Sequence, residues 1–368
     1  MRVHVVDPSA YTPPYDHALC AALGRLGAQV ELVTSRFAYG PVPVPEDYAL
    51  RRAFYRRVRG APGSRTRQIS KALWHVPEMA RYRRLARSAD IVHFQWLALQ
   101  WLDGHLLPSG RPVVLTAHDL LPREPRPGQA SAQRRLYERV GAVVVHSEYG
   151  RRQLVDVLGV DAERVHVIPH GAFTHLTTEP NERGLPPDLE RVEVPVVLFF
   201  GLLRPYKGLE TLLRAWRGVQ GAELWIVGRP RIALEPLRAL APPGVRFVPE
   251  FVPDAELPAY FRRADVVVLP YSRTDRFDQS GVLATALAFG RPTVLSDVGG
   301  FAEVGASGAA RLVAPDDADS LRAAIIELIA DPAERERLAA TARAAAAGPY
   351  SWDESARRTL ALYERLIS

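Results

Sequence analysis

Short runs of β-branched and aliphatic residues alternate along the whole chain with longer segments rich in Ala, Leu and Arg. This alternation limits the fold more than any other feature, because buried strands separated by helices favour parallel sheets covered by helices on both faces. The alternation occurs as two series, separated by a polar stretch over residues 174–193 that lacks periodicity and resembles an interdomain linker. A chain of 368 residues is also too long for one ordinary core. We therefore predict an α/β protein of two doubly wound domains.

The strands are predicted from short apolar runs. In the first series they cover residues 3–7, 29–34, 91–94, 113–117, 142–146 and 165–169, with helices at 18–26 and 133–140 among the segments between them. In the second series they cover residues 196–200, 223–227, 245–247, 266–269, 293–296 and 310–312. A last helix is predicted from Ser351, a suitable N-cap with Glu354 in the capping-box position.

Cysteine usage and hydropathy indicate the compartment. The single cysteine, Cys20, excludes an intrachain disulfide and is compatible with a reducing environment. Residues 1–7 are typical of a first strand and not of a signal peptide, and no apolar run is long enough to span a bilayer. We expect a cytoplasmic protein.

The net charge of +6 comes with arginine clusters within residues 51–67 and 81–87. The ordinary interpretation is a solvated surface. The alternative is attraction to an acidic partner, which would place the protein peripherally at the inner, anionic face of a membrane. Nucleic acid is not expected as a partner, because no helix-turn-helix, zinc-finger spacing or RNA-binding aromatic signature is present.

The strongest candidate site follows the strand at residues 196–200. That strand ends at Gly201, two cations follow at Arg204 and Lys207, and a helix is predicted to begin near Leu209. A helix N-terminus and two cations all favour an anion, and an arginine can hold phosphate oxygens in a fork. We predict a phosphate site there.

A second candidate segment follows the strand at residues 266–269. Ser280 suits an N-cap, Gly281 leaves the first amides of a short apolar helix open, and Gly290 suits its end. Two helix N-termini that follow strands of one domain can hold the two phosphates of a diphosphate.

Two loops of the first series carry histidines at strand ends. His118 and Asp119 follow the strand at 113–117, and His170 and Gly171 follow the strand at 165–169. Ligands of open α/β sheets bind at the carboxyl ends of strands, in this case in a cleft expected between two facing sheets. A structural role is equally compatible with a lone histidine at such a position.

Several segments together resemble glycosyltransferase family 4, a group with the GT-B fold. The loop from Gly201 to Lys207-Gly208 is similar to the family's FxGRLxxxKG segment, and residues 248–265, with Pro253-Asp254-Ala255-Glu256-Leu257, resemble its VPDEEL…ADV stretch. Ala288-Phe289-Gly290-Arg291-Pro292 and Asp297-Val298-Gly299-Gly300 resemble AxGxPVVxxDVGG, and residues 165–171 resemble V.VIPNG. The similarity covers nearly the whole chain and is strongest over residues 196–304.

The resemblance implies a metal-independent, retaining transferase that uses a nucleoside diphosphate sugar, UDP- or GDP-linked, and a hydroxyl acceptor; no cofactor is expected. It implies an acceptor-side domain over residues 1–175, a donor domain over 190–348 and a final helix over 349–368 that packs back on the first domain. The residues implied at the donor are Gly201, Arg204, Lys207, Val252, Gln279, Ser280, Gly281, Val282 and Thr285, with His118, Arg204, Lys207 and Asp278 expected to act in catalysis. The substrate side is expected to include Tyr15, Asp16, His118, Asp119, His170 and Gly171. Asp317-Ala318-Asp319 has a metal-binding spacing but is interpreted as a helix start.

The chain departs from the family pattern in three places. Leu202 occupies the usual arginine position, with Arg204 two residues on, and the family's pair of glutamates is replaced by Phe277, next to Asp278, and by Thr285. We interpret this as an actinobacterial-type subgroup in which either Asp278 substitutes for a glutamate, or Gln279 and Ser280 make polar contacts instead. The glycine-rich first loop is replaced by residues 13–16, so the family indicates little about the acceptor.

Three other functions are compatible with the sequence. The same scaffold serves sugar-nucleotide epimerases and pseudoglycosyltransferases, and the missing glutamates would also suit a catalytically silent binding protein. An NAD oxidoreductase is disfavoured, because neither sheet's first turn carries G-x-G-x-x-G.

Overall fold

The computed structural model describes residues 1–121 and 127–368. It divides into two compact units. The first unit comprises Met1–Gly171, Arg276–Asp278 and Trp352–Ser368, and the second comprises Ala172–Asp275 and Gln279–Ser351. The final helix is thus grouped with the N-terminal part of the chain.

The first unit is a parallel sheet with helices between its strands. Its strands are β1 (Arg2–Asp7), β2 (Gln29–Thr34), β3 (Ala49–Arg52), β4 (Ile91–Phe94), β5 (Val113–Thr116), β6 (Ala142–Val145) and β7 (Val165–Val167). Its helices are α1 (Pro13–Arg25), α2 (Arg65–Leu85), α3 (Gln100–Leu106), α4 (Gln129–Tyr137), α5 (Glu148–Arg152) and, at the end of the chain, α14 (Trp352–Ile367).

The strand order of this sheet is β3-β2-β1-β4-β5-β6-β7. The chain moves outward from β1 to β3 and then returns to add β4 on the other side of β1. The order therefore reverses between β1 and β4, and ligands of doubly wound sheets bind at such a switch point. Val3, Val5 and Val6 of β1 are fully buried, as expected for a strand covered on both faces.

The second unit repeats the scheme. Its strands are β8 (Val196–Phe200), β9 (Glu223–Val227), β10 (Val245–Val248), β11 (Val266–Leu269), β12 (Thr293–Ser296) and β13 (Arg311–Val313). Its helices are α6 (Pro187–Glu190), α7 (Leu209–Trp216), α8 (Glu235–Leu240), α9 (Leu257–Arg263), α10 (Gly281–Ala288), α11 (Phe301–Ala306), α12 (Ala318–Ala330) and α13 (Pro332–Ala347). The order β10-β9-β8-β11-β12-β13 places the switch point between β8 and β11.

The prediction of two α/β domains with parallel sheets is confirmed, and every predicted strand is present with ends that differ by at most two residues. Strand β3 and helix α2 were not predicted, because their arginines hide the apolar pattern. Helix α4 begins four residues earlier than the predicted helix at 133–140. Asp317 caps α12 by accepting from the amides of Asp319 and Ser320 (both 3.0 Å), which confirms the predicted helix start.

Helix α14 is held to the first unit by polar contacts as well as by packing. Tyr363 hydroxyl lies 2.6 Å from Nδ1 of His93, the Ser355 hydroxyl donates to the Pro169 carbonyl (2.7 Å), and Arg25 pairs with Asp353 (2.7 Å). Among the helices described, none is long and apolar enough to cross a bilayer.

Candidate active site

The loops after β8 and β11 are fixed to their neighbours at the switch point of the second unit. The Leu203 amide donates to the Arg229 carbonyl (3.0 Å), and the Ser272 amide donates to the Tyr206 carbonyl (2.8 Å). The first contact ties the start of the β8 loop to the loop after β9. The second contact ties the later part of the β8 loop to the loop after β11. The backbone that positions Arg204 and Lys207 is therefore held by hydrogen bonds at both ends.

Gly201 brings the two predicted halves of the phosphate site together. Its φ is +105°, in the region that favours glycine. A Cβ atom on Gly201 would lie 3.0 Å from Nζ of Lys207 and 3.1 Å from Cγ2 of Val282. The Lys207 ammonium and the Val282 side chain, in the first turn of α10, therefore both lie next to this glycine.

The two cations of the loop differ in their surroundings. Lys207 is 6% exposed, and its ammonium lies 5.3 Å from the ring centroid of Tyr271 and 5.9 Å from that of Phe199. Such rings favour a cation at short range. Nε of Arg204 is buried and has no hydrogen-bond partner in the described part of the chain. A buried donor of this kind calls for an explanation, and a bound anion would supply one.

Helix α10 begins as predicted. The Ser280 hydroxyl accepts from the Val282 amide (3.2 Å), so Ser280 is the N-cap, and Gly281 is exposed. Gln279 is turned toward its own segment, since its Oε1 accepts from the Ser280 amide (3.0 Å) and its Nε2 lies 3.4 Å from the Gly300 carbonyl. The exposed glycine leaves the helix start approachable by an anion.

Two further predicted donor residues are buried in the second unit. The Thr285 hydroxyl donates to the Gly281 carbonyl (2.9 Å), one turn earlier in the same helix. Its oxygen can still accept a hydrogen bond. Val252 packs its side chain inside, which leaves a role in base binding to its backbone.

At the switch point of the first unit, Asp7 ends β1 and makes a buried carboxyl pair with Asp16 of α1. Asp7 accepts from the backbone amides of Ser9 (3.1 Å), Tyr11 (2.5 Å) and Thr12 (3.2 Å), which favour its charged form. Burial and the neighbouring Asp7 hold the pKa of Asp16 well above its usual range. The shared proton therefore belongs to Asp16, which donates to Asp7.

Asp16 also borders a pocket of about 310 Å³ in the first unit. Polar side chains of this pocket come from α1, β2, β3 and the segment after β2. They are Asp16, His17, Thr34, Ser35, Arg36 and Arg52. The predicted substrate role of Asp16 thus corresponds to a pocket with hydroxyl and guanidinium groups suited to a polar ligand.

The carboxyl ends of β5, β6 and β7 bring three histidines together around Tyr15. The Tyr15 ring centroid lies 4.6 Å from that of His118, 5.5 Å from that of His146 and 5.0 Å from that of His170. Trp352 of α14 completes the enclosure at 4.9 Å. Tyr15 does not line the Asp16 pocket; the structure places it as a packing residue beneath the histidines.

The ring of His146 has a defined protonation state. Its Nδ1 donates to the Ile168 carbonyl (3.0 Å), and burial lowers its pKa to about 4. His146 is therefore neutral near pH 7, with the lone pair on Nε2. That lone pair faces Nδ1 of His118 at 3.4 Å, so His118 is the donor of this contact.

His118 is further oriented by its other neighbours. Its Nε2 lies 3.2 Å from Oε1 of Gln95, and its ring stacks on Trp96 with centroids 5.0 Å apart and an interplanar angle of 15°. Burial and His146 lower the pKa of His170 to about 3, so the predicted substrate residue His170 is also neutral. Its Nδ1 donates to the Gly171 carbonyl (2.8 Å).

Gly171 and Asp119 have structural contacts in the first unit. A Cβ atom on Gly171 would lie 2.3 Å from the Trp352 ring, so only glycine fits beneath this side chain. Asp119 forms an isolated antiparallel bridge with Phe277. Their roles in substrate binding stay predictions.

Asp278 has contacts that the sequence did not predict. It is fully buried and belongs to the first unit, where its carboxylate accepts from the His146 amide (2.5 Å) and from the Ser147 hydroxyl. Ser147 is the N-cap of α5 and accepts from the Gly150 amide (2.9 Å). These contacts fix the backbone of His146, and the predicted role of Asp278 in catalysis stays a prediction.

Three side chains around His118 were missed by the sequence reasoning: Gln95, Trp96 and His146. All three follow strands β4 and β6, so the rule that selected His118 would have found them had it been applied to every strand. The Gln95 amide nitrogen is buried and has no partner within the described residues. No cluster of three or more metal-ligating side chains is found in residues 1–121 and 127–368.

Two doubly wound sheets, with cations and a helix N-terminus at one switch point, are the features expected of a GT-B glycosyltransferase. Comparisons with known proteins agree: the family model described as Glycosyltransferase Family 4 matches residues 15–176, and that described as Glycosyl transferases group 1 matches residues 194–331. The chain is 30% identical to a D-inositol 3-phosphate glycosyltransferase of Xylanimonas cellulosilytica, over 94% of this chain and 89% of that protein. The chain belongs to glycosyltransferase family 4.

Other relatives extend the comparison. An MMP alpha-(1->4)-mannosyltransferase of Mycolicibacterium hassiacum is 29% identical over 76% of this chain and 71% of that protein. The crystal structure of Anabaena HepE in complex with UDP and glucose covers 100% of both chains with a TM-score of 0.74 and 18% identity. At that identity the structural likeness shows the fold.

Proposed function

We propose that the protein transfers a hexosyl group from a nucleoside diphosphate sugar to a hydroxyl acceptor, with the anomeric configuration retained and without a metal ion. This proposal depends mainly on one observation: the Lys207 ammonium and the first turn of α10 both lie next to Gly201. Cations and helix amides at one switch point are what a diphosphate requires.

Charge explains how these groups would act. As the bond between the sugar C1 and the β-phosphate oxygen breaks, the sugar becomes oxocarbenium-like and the phosphate gains negative charge. Arg204, Lys207 and the Gly281 amide would stabilise this leaving group, a role that a metal ion serves elsewhere. The Val282 amide, which was also predicted to contribute, donates instead to the Ser280 hydroxyl. The acceptor oxygen forms the new bond to C1, and its proton passes to the leaving phosphate on the same face.

The nucleoside would be bound by the remaining predicted residues of the second unit. We assign the base to the backbone at Val252 and the ribose to Thr285, with Gln279 beside it. UDP is the first donor nucleotide to test, since HepE was solved with UDP and glucose. The α-linkage in the name of the M. hassiacum relative suits retention from an α-configured donor.

In the first unit, we propose that His118 contacts the donor sugar and that the Asp16 pocket holds part of the acceptor. His146 and Asp278 would be positioning residues: Asp278 fixes the His146 backbone, and the neutral His146 ring accepts from His118. Because the proton of Asp16 is donated to Asp7, Asp16 would contact the substrate as a hydrogen-bond acceptor for one of its hydroxyl groups.

The test is a screen of thermal stability against UDP, GDP and their sugars, followed by product analysis. A ligand that binds the folded state raises the unfolding temperature by mass action. Transfer of label from the sugar of the selected donor to a hydroxyl acceptor, with the anomeric proton of the product showing retention and with activity preserved in EDTA, is the expected result. Labelled epimer, or binding without turnover on any acceptor, would contradict the proposal.

A further inference from the structure

A groove of about 330 Å³, the β7 groove, lies on the first unit beside the last strand of its sheet. Its lining comes from α5, from β7 and the residue that follows it, and from α14, all of which belong to the first unit. The polar side chains of the lining are Glu148, Arg151, His166, Arg358 and Arg365. Among the described residues, none lines both this groove and the Asp16 pocket, so the two are separate concavities.

The arginines of the groove differ in their partners. Arg358 pairs with Glu354 (2.6 Å). In contrast, Arg151 of α5 and Arg365 of α14 form no salt bridge with any residue that the structure describes. The described lining holds one acid, Glu148, against three arginines, so its net charge is positive.

Arg151 and Arg365 act on the same histidine, although they come from separate helices. Burial lowers the pKa of His166, and the charges of Arg365 and Arg151 lower it further, with Glu163 as a smaller opposing effect. Such effects fade beyond roughly 10 Å in salt, so both guanidinium groups lie near this ring. A single surface arginine is usually just solvated, but two that converge in a groove are suited to the oxygens of an anion.

The backbone of β7 adds a hydrogen-bond donor. Because β7 is last in the strand order, one of its edges has no partner among the described strands. The Ile168 amide donates to the Val145 carbonyl of β6 (2.9 Å). Successive amides of a strand point to opposite edges, so the Val167 amide points to the open edge. Val167 also lines the groove, and a backbone amide beside cations favours an anion.

We propose that the β7 groove binds a small anion that carries a phosphate group. The phosphate oxygens would accept from Arg151, from Arg365 and from the Val167 amide. The volume is at the lower end of the range for small-molecule pockets, roughly 300–1,000 Å³. It therefore accommodates a phosphate ester as well as the free ion. The carbon skeleton of an ester would contact the apolar side chains of the lining, which are Val165, Ile168, Ala361 and Leu362.

The full chain is titrated with inorganic phosphate, glucose 6-phosphate, glucose and sodium chloride while the ring signals of His166 are followed by NMR. His166→Gln assigns these signals, which report on the groove itself and not on phosphate bound near Lys207. Both phosphates should shift the His166 signals to saturation, whereas glucose, and sodium chloride at matched ionic strength, should not. Tighter binding of glucose 6-phosphate would identify an ester as the ligand, and equal affinities would identify the phosphate group alone; both results support the site.

Arg151→Gln and Arg365→Gln should each weaken phosphate binding about 10-fold or more, since each removes a charged hydrogen bond. Arg152→Gln is the matched control, because it removes the same charge from the next residue of α5, which is exposed and lies outside the lining. All three variants should keep the wild-type unfolding temperature. The proposal is overturned if phosphate moves the His166 signals no more than sodium chloride does. It is also overturned if Arg151→Gln and Arg365→Gln both bind phosphate as tightly as Arg152→Gln.

Discussion

The buried histidines of the first unit should make the stability of the protein depend on pH in a calculable way. Burial lowers the pKa of His146 to about 4, against 6.5 for an unperturbed histidine. Between these two values the unfolded chain binds a proton that the folded chain excludes, so the free energy of unfolding falls as pH decreases. Above pH 6.5 the His146 ring is neutral in both the folded and the unfolded chain, so it does not change the free energy of unfolding with pH.

The loss of stability on acidification can be calculated from the pKa shift of His146. Each pH unit between 6.5 and 4 costs about 1.4 kcal/mol, so His146 alone removes roughly 3 kcal/mol of stability on acidification. That is a large part of the ~5–15 kcal/mol that stabilises a typical domain. Asp7 and Asp16 oppose this trend, since burial raises the pKa of each carboxyl and the folded state then binds protons first.

A difference experiment separates the two effects. His146→Asn keeps a donor near the position of Nδ1, for the Ile168 carbonyl, but cannot titrate. Urea unfolding of wild type and of this variant is measured from pH 7.5 to 4, with His105→Asn, at an exposed histidine of α3, as the control. The stability of the variant relative to wild type should rise by about 1.4 kcal/mol per pH unit below 6.5. A difference that does not change with pH would refute the assignment of a neutral, buried His146.

Two substitutions in the second unit test the phosphate site. Gly201→Ala should weaken nucleotide binding at least ~10-fold, because its Cβ would lie 3.0 Å from the Lys207 ammonium and φ is +105°; calorimetric titration measures this, and unchanged affinity would show that the Lys207 position is not critical. Ser280→Ala should lower the free energy of unfolding by about 1 kcal/mol through loss of the N-cap. A stability equal to that of wild type in urea would mean that the Ser280 contact does not stabilise α10.

The sequence predicted the fold well because the signals for each strand and helix lie within a short segment of the chain. Each central strand is a short apolar run, and alternation with helices determines parallel pairing. Strand β3 and helix α2 escaped prediction because the pattern was obscured by Arg51, Arg52 and the arginines of α2, whose role is at the surface.

The candidate site was predicted unevenly. Gly201, at the end of a strand, and Ser280, at the start of a helix, could be inferred from the order of strands and helices. The contacts of Asp278 could not, because they depend on which unit receives residues 276–278, and nothing local in the sequence states this. The three histidines likewise meet only once β5, β6 and β7 are paired in order.

The central claim, a diphosphate site at Lys207, is tested most directly by nucleotide binding to the two lysine variants. The chain has two lysines, Lys207 and Lys71, the second of which lies in α2 over the Tyr55 ring. For Lys207→Met we predict an affinity for the preferred nucleoside diphosphate lower by about 100-fold, or ~3 kcal/mol for loss of a charged contact, with Lys71→Met close to wild type. Equal affinities for wild type and Lys207→Met, measured by calorimetry on folded proteins, would contradict the account.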